Sequence, residues 1–234
     1  MELRCVNCGV GVQRLLVQYS PGNIRLTKCE NCRAVADPYV ECEFMILLID
    51  LILHKERAYR HLLFNLLNQD SIAREGILWK SSLIYFLADI YRTALLSGEW
   101  NSSKSSLFSV CICGKVLGEV FCGNLSFFGF LFLADRVFLD KPKSTLDISS
   151  FKTVFLTILL SSYFKIFLTS MMVWEFPSSA IYIVDVLGIS SNYMALKALK
   201  QLPNASCIGV VLGAHGAKFL ISACSAILSS SFCF

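Results

Sequence analysis

From residue 77 onward this chain is written largely in apolar runs, at about 77–97, 107–133, 153–174, 180–196 and 205–232. A helix needs about 20 mainly apolar residues to cross a hydrocarbon core roughly 30 Å thick. The run beginning at Thr153 is the cleanest, interrupted only by Lys165, whereas 180–196 is the weakest, being short and carrying Asp185. Across 234 residues, 55% are hydrophobic and only 16% are charged, against about 25% charged in a soluble globular domain. A soluble single-domain enzyme, a fibrous protein and a disordered chain are all disfavoured by that balance. The expected fold is a multipass α-helical membrane protein with four or five transmembrane helices in 71–234.

The placement of Lys and Arg gives an independent check on topology. Eight fall before residue 62, four lie between Ala134 and Lys152 (Arg136, Lys141, Lys143, Lys152), and two in 197–204. The alternate loops carry Glu99, Lys104 and Glu175. With five spans, the basic loops share one side with the N-terminus, as the positive-inside rule requires. The N-terminus is then expected on the cytosolic side, and the C-terminus on the opposite one. If 180–196 does not span, the C-terminus returns to the cytosol.

Ionisable groups also fall inside the apolar runs: Lys80, Asp89, Arg92, Lys115, Glu119, Lys165, Asp185, His215 and Lys218. Such groups are costly in lipid and face a bundle interior, water or the interface. Asp89 and Arg92 are three apart and Lys115 and Glu119 four apart, so local pairing along single helices is the expectation. The alternative is a polar path for lipid headgroups. Gly114 and Gly118 form a small-xxx-small pair suited to close helix packing.

The segment 1–43 is different in kind. Five of the eleven cysteines precede Glu43, four of them as Cys5-x2-Cys8 and Cys29-x2-Cys32, with residues 9–28 separating the pairs. No basic stretch followed by an apolar h-region opens the chain, so a reducing, cytosolic setting is expected. Two such knuckles match a four-thiolate zinc site, since each C-x2-C turn sets two sulfurs on one side of the ion. Gly9 permits a positive φ after the second cysteine. Val12–Tyr19 and Ile24–Lys28 are strand-like, with Leu15, Val17, Ile24 and Leu26 available to one face. Ser20-Pro21-Gly22-Asn23 between them has the composition of a type II turn. Residues 1–43 are therefore expected to form a zinc ribbon, its metal structural because four cysteines leave no open coordination position. Cys42 is a spare, expected to be buried and unpaired.

Residues 44–70 begin with the apolar run Phe44–Leu53, which is too short to span at a helical rise of about 1.5 Å per residue. An amphipathic helix is expected here, with Lys55, Arg57 and Arg60 interleaved among apolar positions. It either lies in the membrane interface or packs against the ribbon. His54 and His61, seven apart, would share a helical face.

No phosphate loop, H-E-x-x-H or G-x-S-x-G is present, and three histidines cannot build a histidine-rich metal centre. The expectation is a protein that is not an enzyme. Residues 1–61 carry eight Lys/Arg against seven Asp/Glu, so nucleic acid is not expected as a partner.

Taken together, the two knuckles, Asp37-Pro38-Tyr39-Val40-Glu41, the apolar run through Asp50, and Ala58-Tyr59-Arg60-His61-Leu62-Leu63-Phe64-Asn65 resemble the N-terminal homology domain of the Arv family over residues 3 to 67. The remainder resembles that family only as a series of apolar segments. The resemblance implies a multipass endoplasmic-reticulum membrane protein of sterol and sphingolipid homeostasis, linked to glycosylphosphatidylinositol (GPI) anchor assembly. Its implied partners are membrane lipids. Tyr59, Arg60, His61 and Asn65 become candidate contacts for a lipid or protein partner. The competing reading is a membrane-tethered adaptor whose ribbon recruits proteins, with indirect effects on lipids.

Overall fold

The computed structural model describes residues 3–67, 71–97, 106–139, 148–170, 177, 179–200 and 203–232. It holds a two-stranded hairpin, β1 (Leu16–Ser20) and β2 (Asn23–Leu26), followed by helices α1 (Phe44–Ile52), α2 (Glu56–Arg60), α3 (Ser71–Ser97), α4 (Ser106–Ala134), α5 (Ile148–Ser161), α6 (Phe167–Ser170), α7 (Ala180–Lys200) and α8 (Asn204–Phe232). The chain forms two compact units: residues 1–79 with 194–201, and residues 80–193 with 202–234.

In the first unit the ribbon forms as the cysteine spacing implies. β1 and β2 pair antiparallel, Leu16 opposite Leu26 and Gln18 opposite Ile24, with an irregularity between Gln18 and Ser20. Pro21-Gly22 closes the hairpin and Gly22 sits at φ 84°, as its turn position requires. The strands are shorter than expected, and Ile24 is exposed.

The two knuckles repeat each other position for position, Cys5 corresponding to Cys29. Cys5 N–H donates to Val10 O and Cys29 N–H to Ala34 O; Gly9 N–H donates to Cys5 O and Arg33 N–H to Cys29 O. Isolated bridges Arg4–Gly11 and Lys28–Val35 complete the correspondence. Gly9 has φ 78°, and Arg33, at the equivalent place, has φ 59°. An L residue there costs roughly 1–2 kcal/mol, partly offset because glycine loses more chain entropy on folding. Arg33→Gly is therefore expected to raise stability by about 0.5 kcal/mol. A higher thermal midpoint for the metal-loaded chain would bear this out, and a lower one would refute it.

Residues 44–67 are not one helix. α1 ends in a Schellman turn: His54 N–H donates to Leu51 O and Lys55 N–H to Asp50 O, with His54 at φ 57° in the left-handed region. α2 then runs into a π-helical turn, His61–Leu66. His54 and His61 therefore share no helical face. Leu47 and Leu51 of α1 are buried, while Phe44, Met45, Ile46, Ile49, Ile52 and Leu53 are exposed. Cys42 is also exposed, its thiol within 3.3 Å of Pro38 O; the expectation of burial is corrected, because the preceding turn, Pro38–Glu41, holds it at the surface.

Among the described residues of the second unit, two helical stretches, Cys113–Val137 and Asn204–Ser225, are long and apolar enough to cross a membrane. α3 and α7, at 27 and 21 residues, match the expected runs 77–97 and 180–196. The run from Thr153 is broken instead: α5 gives way to a 3-10 segment, Ser162–Ile166, before α6. The end of that run and the loop charges Glu99, Lys104, Lys141, Lys143 and Glu175 lie outside the described residues.

α4 and α8 make the most extensive helix pairing in this unit. Close approach does not use Gly114 or Gly118, where an added Cβ would meet nothing within 4 Å. It uses Gly213, where a Cβ would lie 2.5 Å from Phe130 Cζ. Gly213→Val should drive the Phe130 ring aside and cost about 1–3 kcal/mol. A lowered thermal midpoint in detergent is the expected readout, and an unchanged one would show that the ring yields freely.

Candidate metal centre and buried polar networks

The Sγ atoms of Cys5, Cys8, Cys29 and Cys32 all lie within 4.8 Å of one another. Cys5 Sγ is 3.7 Å from Cys32 Sγ, and Cys8 Sγ is 3.6 Å from Cys29 Sγ. These are non-bonded distances, far beyond a disulfide. A tetrahedron of sulfurs each about 2.3 Å from a zinc ion has edges of about 3.8 Å, so the cross-knuckle spacings fit such an ion. All four sequence-predicted ligands are brought together, one knuckle from each side, forming a cluster able to hold a metal ion.

The backbone prepares these sulfurs for charge. Burial pushes the Cys5 thiol up to about 12, although the amides of Cys8 and Asn7 oppose it. At Cys8 burial also raises, but the Val10 amide, Asn31 and the neighbouring thiols prevail and bring it down to about 6. Cys32 is lowered chiefly by the Ala34 amide, with help from Asn7. Val10 and Ala34 occupy equivalent places in the two knuckles. A divalent cation bound here would displace the remaining thiol protons and hold four thiolates. It would serve folding rather than chemistry, because coordination by four cysteines leaves no open position for substrate.

Behind the ribbon lies a network centred on a carboxylate. Asp37 is fully buried. Its Oδ2 is 2.6 Å from His61 Nδ1 and accepts from Asn65 Nδ2 at 2.6 Å, while its Oδ1 accepts from Tyr39 N–H at 3.0 Å. Asn65 also pairs with the backbone of Arg4 in both directions, at 2.9 Å each. Arg60 donates to the carbonyls of Val6 and Asn7 inside the first knuckle, and to Glu56. Tyr59 is buried, its hydroxyl 3.4 Å from Leu51 O.

The four residues expected to contact lipid or a partner are thus placed inside the module. Tyr59, His61 and Asn65 are buried, and Arg60 clamps the knuckle backbone. α2 packs against the ribbon, the second of the two arrangements its sequence allowed. Asp37 was missed as the hub; its only sequence signal is an Asp-Pro step, common at helix starts. At the edge of the same unit, Tyr39 OH donates to Asp50, which also accepts from Lys55, each at 2.7 Å. The Lys55 and Tyr39 hydrogen bonds hold the Asp50 carboxyl below its ordinary range. Burial and then Asp50 push the Tyr39 phenol upward.

The second unit has its own polar interior. Asp89 is buried and bridges Lys165 and Lys218, the latter at 2.5 Å. Lys218 also donates to Asn124 Oδ1 at 2.8 Å, and Lys165 Nζ lies 3.5 Å from the Tyr85 ring centroid. Arg92 forms a two-pronged pair with Asp185, its Nε 2.9 Å from Oδ1. Asn192 joins Ser161 at 2.6 Å and His215 at 3.2 Å, and Ser222 donates to Glu119. The expected pairing of Asp89 with Arg92 along one helix is therefore corrected. Each finds its counter-charge on another element, which ties the helices of this unit together. Lys80 is exposed.

The family model described as "Arv1-like family" matches residues 4–196. The chain belongs to the Arv1-like family. That match runs far past residue 67, so the helical unit shares the family pattern as well as the ribbon. Protein ARV 2 of Arabidopsis thaliana is 47% identical over 97% of this chain and 96% of its own length. Protein ARV 1 of the same plant is 45% identical over 94% and 87%. Protein ARV1 of Homo sapiens is 26% identical over 84% and 72%. No solved structure matches.

Proposed function

We propose that this Arv1-like protein is a non-enzymatic, multipass endoplasmic-reticulum membrane protein that binds and moves, or monitors, sterols, sphingolipids or GPI-anchor intermediates. In this reading its cytosolic ribbon is held by one structural zinc ion. The observation that carries it is the apolar exterior of the helical unit, with polar groups turned inward. Leu83, Ile84, Leu87, Phe121, Leu125, Ile183, Val186, Phe219 and Leu220 are exposed, while Asp89, Asn124 and Asn192 are buried. Exposed apolar surface on this scale belongs against a partner or a bilayer, and polar groups in such helices turn inward. Family membership supports the lipid part of the proposal.

Native mass spectrometry of the detergent-purified full chain tests it, reading bound metal and retained lipid together. One zinc and a selectively retained sterol, sphingolipid or GPI precursor is the expected result. Zinc with no selective lipid would transfer weight to the adaptor reading. One observation favours that alternative: a groove of about 560 Å³ on the ribbon, lined by Val10–Arg14 and Thr27–Asn31. A C-terminal glycosylation reporter separates the topologies, its modification excluding four spans.

A further inference from the structure

We propose that the Asp89 cluster of the helical unit is a binding site for a phosphate group, the phosphodiester of a lipid headgroup or free phosphate; the lipid form rests on the lipid-handling reading above. With all five groups ionised, Arg92, Lys165 and Lys218 set three positive charges against the two negative ones of Asp89 and Asp185, leaving one unbalanced. His215 faces the same cluster and is hydrogen-bonded to Asn192. Glu119, at the middle of α4, accepts from Ser222 one turn beyond Lys218, and its negative charge is matched by Lys115 one turn before it. A net charge in a low-dielectric interior is costly unless an anion joins it, and a phosphodiester carries one negative charge.

The donors exceed the acceptors as well. Lys165 and Lys218 hold six ammonium N–H groups, and the acceptors they reach among the described residues are the two Asp89 oxygens and Asn124 Oδ1. Asn124 is 7% exposed, and its Nδ2 has no hydrogen-bond partner among the described residues. An inward amide donor on the residue that holds Lys218 is an anion-binding arrangement in want of an acceptor. Lys165 stands on the 3-10 break between α5 and α6, and a 3-10 interruption of a helical run often marks a functional hinge or site. The cluster also reaches the surface, since the Lys165 and Lys218 side chains remain 15% and 21% exposed. Asp89, bridging both lysines, occupies the place an incoming phosphate would contest.

Dioctanoyl phosphatidylglycerol, dioctanoylglycerol and inorganic phosphate are titrated separately onto the full chain in detergent and read by native mass spectrometry. Phosphatidylglycerol is expected to bind at least tenfold tighter than dioctanoylglycerol, with inorganic phosphate competing if the headgroup alone is recognised. Binding of phosphatidylglycerol without competition assigns the site to lipid, and binding of inorganic phosphate alone assigns it to free phosphate. Lys165→Gln and Lys218→Gln should each weaken binding about tenfold. Asp89→Asn should strengthen it, the opposite of what loss of a merely structural bridge would do. Equal binding of phosphatidylglycerol and dioctanoylglycerol by wild type, with no uptake of phosphate, overturns the proposal even if no variant folds. Should wild type still retain a sterol selectively in that case, the lipid-handling reading survives without this site.

Discussion

Serine in place of Cys29 is expected to release the metal ion and unfold the ribbon as a unit. The reason lies in how small the ribbon's own apolar core is. Val6, Ala36, Cys5 and Cys29 are the buried apolar groups of residues 3–36, whereas Leu16, Tyr19 and Ile24 of the hairpin stand exposed. A lone two-stranded hairpin is marginal in water, and so few buried side chains cannot repay the ordering of the whole ribbon backbone. A four-thiolate zinc site contributes about 10–16 kcal/mol of apparent binding free energy in small modules, which dominates every other term here. Removing one ligand leaves three sulfurs and an oxygen of lower affinity. Hydrogen exchange at the amides of Val6, Cys29 and Ala36, which donate to the carbonyls of Ala36, Ala34 and Thr27, reports the loss, together with metal content per chain. Undiminished metal and unchanged protection in the variant would mean that the module stands without it.

The ribbon was legible because its determinants are local: two fixed cysteine spacings and a Pro-Gly turn. Positive φ was legible at Gly9 but not at Arg33 or His54, where no glycine marks it. The break between α1 and α2 was hidden for that reason, since an apolar run continuing into a basic one reads as a single helix. The Asp37 network was hidden because His61 and Asn65 lie far along the chain from Asp37, and nothing short-range ties them together. The interior charges show the same limit. Spacing along one helix offered Arg92 to Asp89, but Lys165 and Lys218 came from elements 76 and 129 residues further on. A glycine stripe at 114 and 118 suggested a packing face, while the close contact fell at Gly213, where a phenylalanine on α4 happened to face it.

Asp37→Ala should be the most damaging single change in the N-terminal unit outside the cysteines. It removes the acceptor of three hydrogen bonds and strands the His61 and Asn65 donors in a dry interior. Breaking a buried, charge-assisted set by deleting one member costs about 3–5 kcal/mol, and losing the side-chain cap on Tyr39 N–H adds about 1 kcal/mol. His61→Ala leaves Asp37 with Asn65 and Tyr39 still in place and should cost less, about 1–3 kcal/mol. Because the two residues share one contact, their effects should not add: once Asp37 is gone, loss of His61 should matter less by about 0.5–3 kcal/mol. The amide of Arg4 reports the network from the ribbon side, since it donates to Asn65 Oδ1, and the amide of Tyr39 reports it from Asp37. Both should lose exchange protection in Asp37→Ala. In His61→Ala the Tyr39 amide should stay protected, because its acceptor remains. Strict additivity of the two substitutions in the double variant would show that Asp37 and His61 act independently, and the network would then be two separate supports rather than one.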